Sequence, residues 1–244
     1  MNTNHFIKKI FLPLLVVAGL SFTLVKKSPT VLIFSKTNGY RHQSIPFGIE
    51  AIKKLGEENK FSVDATEDSL AFTDENLAKY KAIIFLSPTM DVLGEEQQKA
   101  MENFIQKGGG FVGIHAATDC EYNWPWYVKM VGASFLSHPA QQMAKLIVVD
   151  KNNNATKHLP DVWERKDEWY NFKNMNPDVH VLLKIDETSY TGGKNGDNHP
   201  MAWYHEYDGG RAFYTELGHT NESFSEPAYL EHLLGGIKYA LKKQ

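Results

Sequence analysis

The sequence predicts an α/β protein built on a mainly parallel, doubly wound sheet. Short continuous apolar runs stand at residues 31–35 (VLIFS), 81–86 (KAIIFL) and 111–115 (FVGIH), the pattern of strands covered on both faces. Between them lie stretches with helical spacing. Strand, helix and strand in strict alternation call for parallel pairing, because the crossover helix returns the chain to the same edge of the sheet.

Each element has its own local reason. Residues 1–27 stand apart: Lys8 and Lys9 precede an uncharged, largely apolar run over residues 10–25, which Lys26 and Lys27 close. This is the layout of a secretory signal peptide, shorter than the roughly 20 apolar residues of a spanning helix, with a membrane anchor as the alternative. The expected location is therefore exported, periplasmic or membrane-anchored. The single cysteine, Cys120, lies far downstream, so the run has no lipoprotein cysteine and no intramolecular disulfide can form. Residues 28–244 are read as one domain.

After the first strand, Asn38 and Gly39 mark a loop, and Ile45, Ile49, Ile52 and Leu55 recur at helical spacing. Residues 61–65 alternate weakly as a strand, and Leu77 sits in a short helical patch. Residues 95–107 are rich in helix formers and place Met101, Phe104 and Ile105 on one side, before Gly108, Gly109 and Gly110 end the helix. In the second half, residues 145–149, 179–185, 199–204 and 211–215 are expected to extend the same sheet, and residues 228–241 to form a closing helix. Residues 152–176 show no clean period and are expected to be long loops.

Lys and Arg number 26 against 29 Asp and Glu, a net charge of -3, and there is no dense basic stretch, so nucleic acid is not expected as a partner. The first strand is not followed by G-x-G-x-x-G, so no nicotinamide cofactor is expected. No G-x-S-x-G elbow occurs, and a lone Cys120 is read as an inert core residue, which leaves a covalent hydrolase little support.

In an open parallel sheet, ligands gather beyond the carboxyl ends of the strands. Polar residues stand at those positions: Tyr40-Arg41-His42 after the first strand, His115 and Asp119 after the fourth, and Gly218-His219 beyond the last; Asp167-Glu168-Trp169-Tyr170 and His199-Pro200-Met201-Ala202-Trp203 come between them along the chain. Together with residues 109–116 (GGFVGIHA) and 210–219 (GRAFYTELGH), these motifs resemble the ThuA-like, trehalose-utilisation family over nearly all of the chain after residue 27. The resemblance implies a flavodoxin-like fold, similar to class I glutamine amidotransferases, and a role in sugar metabolism with a small carbohydrate as ligand. Those amidotransferases carry a nucleophilic cysteine in the turn where this chain has His115, so glutaminase chemistry is not expected.

Glu168, Asp119 and His115 are the catalytic candidates. A carboxylate in a partly closed pocket acquires a raised pKa unless a cation offsets it, and a raised pKa suits proton transfer. Arg41, His42, Tyr170, Trp203 and His219 are candidates for binding substrate, with Trp203 able to stack on a sugar face and Trp169 and Tyr170 suggesting an aromatic-walled cleft. Trp124 and Trp126 form either a wall or a hydrophobic lid. His42, His115, Glu168 and His219 are also an adequate ligand set for zinc or another divalent ion, although their spacing carries no short-range signature. His158, His180, His205 and His232 are read as surface residues. The leading function is an enzyme on sugars or keto-glycosides working by proton transfer; the alternative is a sugar-binding protein of the cell envelope.

Overall fold

The computed structural model describes residues 28–242 together with Met1 and Asn2. The predicted signal or anchor segment, residues 1–27, lies outside the described residues apart from Met1 and Asn2. Among the described residues, no helix is long and apolar enough to cross a membrane.

In chain order the elements are β1 (Thr30–Phe34), α1 (Ile45–Asn59), β2 (Ser62–Thr66), α2 (Asp74–Leu77), β3 (Ala82–Leu86), α3 (Glu95–Gln106), β4 (Gly110–Ile114) and α4 (Pro125–Val131). They continue as β5 (Ser134–Ser137), β6 (Gln142–Val148), β7 (Val162–Asp167), β8 (Asn171–Lys173), β9 (His180–Ile185), β10 (Pro200–Tyr207), β11 (Gly210–Thr215) and α5 (Pro227–Ala240). Nine strands form one sheet in the order β2-β1-β3-β4-β11-β10-β9-β6-β7, while β5 and β8 pair as a separate ribbon. From β2 to β11 every pairing is parallel. Residue after residue of β3 and β4 is buried, as their continuous apolar runs require.

Helices cover both faces. Alternate residues of a strand point to opposite sides, and β4 shows it directly: a Cβ on Gly110 would lie 2.3 Å from the carbonyl oxygen of Ala240 in α5, whereas Phe111 packs against Tyr127 of α4. Only a residue without a side chain lets α5 approach the sheet so closely.

The second half extends the same sheet as expected, but with reversed direction at each step: β11-β10, β10-β9, β9-β6 and β6-β7 are all antiparallel. Four reversals return β7 to the direction of β11, so both strands end on the same edge as β1, β3 and β4. That edge is where the polar residues gather.

Two expectations are corrected here. Residues 152–176 are not long loops throughout, since they contain β7 and β8. The inward positions of β7 are Trp163, Arg165 and Asp167, so the period of two is present but two of its three buried members are charged, and a hydrophobicity pattern cannot show it. Burial of this pair is offset locally. Arg165 Nη2 meets Asp167 Oδ2 at 3.1 Å and Ser223 Oγ at 2.7 Å, and its guanidinium lies 4.8 Å above the Trp163 ring and 5.1 Å from that of Tyr229.

Secondly, His205 and His232 are core residues rather than surface ones, and His158 is half-buried. His205 Nε2 meets the Met130 carbonyl oxygen at 2.8 Å. His232 donates from Nδ1 to the Ala155 carbonyl at 2.8 Å and accepts at Nε2 from Thr215 Oγ1 at 3.1 Å, the neutral tautomer with both nitrogens satisfied. Burial lowers the His232 pKa to about 3. The unfolded chain, with an ordinary histidine, binds this proton near pH 6.5 and the folded chain does not. Stability from this residue is therefore full above pH 6.5 and declines as pH falls toward 3, by about 1 kcal/mol per pH unit. Urea unfolding at pH 7 and pH 5 is expected to show this slope in the wild-type chain and a flatter one in His232→Gln; equal slopes would refute it.

Candidate functional site

His42 lies in the loop between β1 and α1, His115 directly after β4, Glu168 directly after β7, and His219 four residues beyond β11. Local backbone places each one. His115 adopts φ 49°, a left-handed conformation costly for any side chain but glycine, and so turns its ring out of the strand line at the elbow where the amidotransferases hold their cysteine. Gly218 adopts φ +112°, and a Cβ there would lie 2.5 Å from the Tyr229 hydroxyl, so glycine is required. This bend lets the backbone N–H groups of Gly218 and His219 both donate to the Asp167 carboxylate, at 3.1 and 3.2 Å. Asp167 also accepts from the N–H of Glu168 at 3.0 Å. One buried carboxylate thus ties the end of β7 to the chain beyond β11 and sets both Glu168 and His219.

The result is a compact cluster. One donor atom from each of His42, His115, Glu168 and His219 lies within 4.8 Å of the other three. His115 Nε2 is 3.1 Å from His219 Nδ1 and 3.5 Å from Glu168 Oε2, and His219 Nδ1 is 3.1 Å from Glu168 Oε2. The His42 ring stands edge-on to His115 and His219, 4.8 and 5.0 Å between centroids.

Electrostatics divide the histidines. Burial, reinforced by the neighbouring imidazoles, depresses His42 to about 2, so its ring is neutral at any ordinary pH. Burial would lower His115 too, but Glu168 and Glu216 outweigh it and raise its pKa to about 10. Glu168 moves opposite to the expectation of a raised pKa: burial pushes up, yet hydrogen bonds from His115 and His219 hold the carboxyl well below its usual range. The escape clause in the rule, a nearby cation, is the one that applies. Asp119 is the carboxyl that burial raises, against the opposing hydrogen bond from the Tyr122 hydroxyl.

The donor set fits a divalent cation. Ions of this class hold N and O donors at about 2.0–2.2 Å, which puts neighbouring donors roughly 3.0–3.5 Å apart, as three of the four are here. His115 donates Nδ1–H to the Glu216 carbonyl at 2.8 Å, which leaves Nε2 to face the cluster. Nδ1 of His42 is buried with no hydrogen-bond partner among the described residues. A neutral imidazole without a partner, beside a carboxylate with no proton, is what a cation would use.

Not every candidate reaches this place. Arg41 forms a two-pronged, half-exposed pair with Glu67, at 2.7 and 3.1 Å, away from the cluster. Trp203 is fully buried, stacks on Tyr214 and donates to the Val131 carbonyl at 2.8 Å, so it has no face to offer a sugar and is a core residue instead. Trp169 is equally buried and donates to the Gln142 carbonyl. Tyr170 lies beneath the cluster, 4.4 Å from the His115 ring, as a floor rather than an open wall. Trp124 and Trp126 stack on each other, and Trp126 bonds to Asp208 in the β10–β11 turn, at the opposite end of the sheet. A groove of about 690 Å³, along α1 and residues 221–225, contains no member of the cluster.

Three residues here went without a role in the sequence reading. His138, at the end of the β5–β8 ribbon, is exposed and sets Nδ1 3.1 Å from Glu168 Oε1. Its only sequence signal is its place after a short strand. Asp167 and Glu216 both stand inside motifs singled out above, next to or near residues chosen instead. Glu216 accepts from the Tyr170 N–H at 3.0 Å, and burial pushes its pKa up to about 7.

None of the curated proteins matches this chain. Among solved structures it is similar to a ThuA-like protein from Bacteroides uniformis, at 26% identity and a TM-score of 0.76, over 90% of this chain and 94% of that one. A ThuA-like protein from Parabacteroides merdae aligns at 22% identity and a TM-score of 0.72, over 89% of this chain and 91% of that one. A β-galactosidase from Bacillus circulans sp. alkalophilus aligns at 12% identity and a TM-score of 0.59, over 89% of this chain and 32% of its own. These last two likenesses concern the fold alone. The family model ThuA, described as trehalose utilisation, matches residues 30–240. From β1 to the last turn of α5, with every member of the cluster included, the chain belongs to the ThuA family, whose role is carbohydrate-related.

Proposed function

We propose that this chain is a metal-dependent enzyme acting on a sugar or keto-glycoside by proton transfer. The convergence of three imidazoles and one carboxylate within 4.8 Å carries the reading. A divalent ion there would polarise a bound oxygen and lower the pKa of a neighbouring proton. The chain's own groups supply the rest. His115 is held in register by the Glu216 carbonyl, and Glu168 and His219 by Asp167. Asp119, four residues beyond His115, is close enough for the charges of His115, His138 and Glu168 to bear on its carboxyl, and its raised pKa suits it to take a proton from carbon beside a carbonyl. The electron pair of that C–H bond becomes the C=C bond of an enolate as the carbonyl π pair moves onto oxygen. Return of the proton from Asp119 to the neighbouring carbon completes an isomerisation, while expulsion of the β-oxygen substituent, which leaves as an alcohol with that proton, completes an elimination; neither needs a covalent enzyme intermediate.

The chemistry of Cys120 agrees with this. Its thiol is buried and its pKa raised by that burial, so it offers no thiolate nucleophile. The alternative reading, a sugar-binding protein, loses the aromatic walls expected from the sequence, since Trp203, Trp169 and Tyr170 are buried. An exported location belongs to the proposal through the Lys8 to Lys27 pattern, and cell fractionation tests it.

The deciding experiment is elemental analysis of protein purified without chelator, followed by incubation with glycosides and their keto derivatives. About one equivalent of a divalent transition metal is expected, with turnover that a chelator abolishes and the metal restores. A metal-free chain with full turnover would overturn the reading.

A further inference from the structure

Three of the four donor atoms define a direction for the site. His115 Nε2, His219 Nδ1 and Glu168 Oε2 are mutually 3.1, 3.1 and 3.5 Å apart. On an octahedral ion with bonds of about 2.1 Å, adjacent donors stand roughly 3.0 Å apart and opposite donors roughly 4.2 Å. Donors on a four-coordinate ion, roughly 3.4 Å apart, would fit these separations as well; on a six-coordinate ion all three are of the adjacent kind, and the atoms would occupy one triangular face, the arrangement of two histidines and a carboxylate that leaves positions open to small molecules. His42 then takes one of the three positions of the opposite face. The two that remain share that face and are neighbours by necessity, wherever His42 falls on it.

We infer that the substrate enters as a chelate, filling two adjacent positions of the ion with oxygens on neighbouring carbons, as in a vicinal diol or an α-hydroxyketone. The inference rests on the metal-dependent reading above and adds the substrate class. A lone hydroxyl or an isolated carbonyl would leave one position to water, while two neighbouring sugar oxygens span the short edge between them. Access supports it. His115 and His42 are buried at the back of the cluster, whereas Glu168 and His219 keep 10% and 12% of their side chains exposed. The rim carries His138 beside Glu168 and an exposed Tyr40, 63% accessible, edge-on to His42 at 4.9 Å. A tetrahedral ion with four protein donors would instead be closed and structural.

The test uses the full chain, depleted of metal and loaded with Co²⁺, whose visible absorption is intense when four-coordinate and weak when six-coordinate. Acetohydroxamate, which offers two oxygens on neighbouring atoms, is titrated against acetamide, which offers one. The expected result is a weak six-coordinate spectrum that acetohydroxamate shifts, with affinity above that of acetamide by about tenfold or more. Vicinal diol sugars are expected to produce the same shift, and their deoxy analogues lacking one oxygen not to. Uptake of Co²⁺ with an intense spectrum that neither probe changes overturns the chelate while leaving a metal site. Failure to take up Co²⁺ overturns the chelate together with the reading beneath it.

Discussion

Replacing Glu168 by Gln is expected to remove the bound metal and abolish turnover while leaving the fold intact. Glutamine keeps the shape of the side chain and one oxygen but not the negative charge that Glu168 alone among the four donors sets against a divalent cation. Changes to groups that merely support a metal ligand cost about 10–100-fold in affinity, so loss of the sole anionic ligand is expected to exceed that range. A fall in turnover of about 10³-fold or more should follow, because polarisation of the bound oxygen is the largest contribution asked of the site. The fold is expected to survive, since Glu168 stands at the mouth of the cluster and its carboxylate makes contact with His115, His138 and His219 rather than with the core. Elemental analysis, circular dichroism and steady-state kinetics measure the three parts. A folded variant with full metal and the wild-type rate would exclude Glu168 from the centre.

Replacing Asp167 by Ala is expected to cost more in stability than any other change near the site. The carboxylate is fully buried and is the counter-charge of Arg165, itself 5% exposed. Removing one partner of a buried ion pair costs about 3–5 kcal/mol, and here it leaves the buried Arg165 only the partly exposed Glu226, whose Oε2 lies 3.3 Å from Nη2. For a chain of this size each kcal/mol moves the melting temperature by about 2–4 °C, so a fall of about 6–20 °C is expected by thermal unfolding of metal-depleted protein. The three backbone N–H groups of Glu168, Gly218 and His219 lose their acceptor at the same time. Cation affinity should therefore fall as well, by about 10–100-fold, even where the protein remains folded. Asp167→Asn, which keeps one acceptor oxygen, is expected to lie between the two. An unchanged melting temperature in Asp167→Ala would show that Glu226 suffices as the counter-charge of Arg165.

Legibility from the sequence followed the visibility of apolar patterns. The strands at β1, β3 and β4 and the helices α1, α3 and α5 were plain, because runs such as VLIF and AIIFL leave no polar face to misread. In β7, by contrast, Arg165 and Asp167 occupy inward positions, and β5 and β8 are ribbons of four and three residues, too short to show a period. The histidines divide in the same way. His42, His115 and His219 stand after strands, where residues of a site are sought, but His232 in the middle of a helix and His205 in a strand are buried against backbone groups that no sequence pattern announces.

From the sequence alone came the α/β class, the family resemblance and the short roster of polar residues beyond the strand ends, because burial on both faces and position along a strand are written in local composition. Tertiary structure alone decided which of that roster meet. His42 and His219 are far apart along the chain, and Glu168 joins them only because four antiparallel pairings turn β7 back to the direction of β11 and Asp167 clasps the Gly218 bend. The same packing withdrew Trp203 into the core and left Arg41 paired at the surface. Strand direction and a buried carboxylate act through space, and neither leaves a period in the sequence for a reader to find.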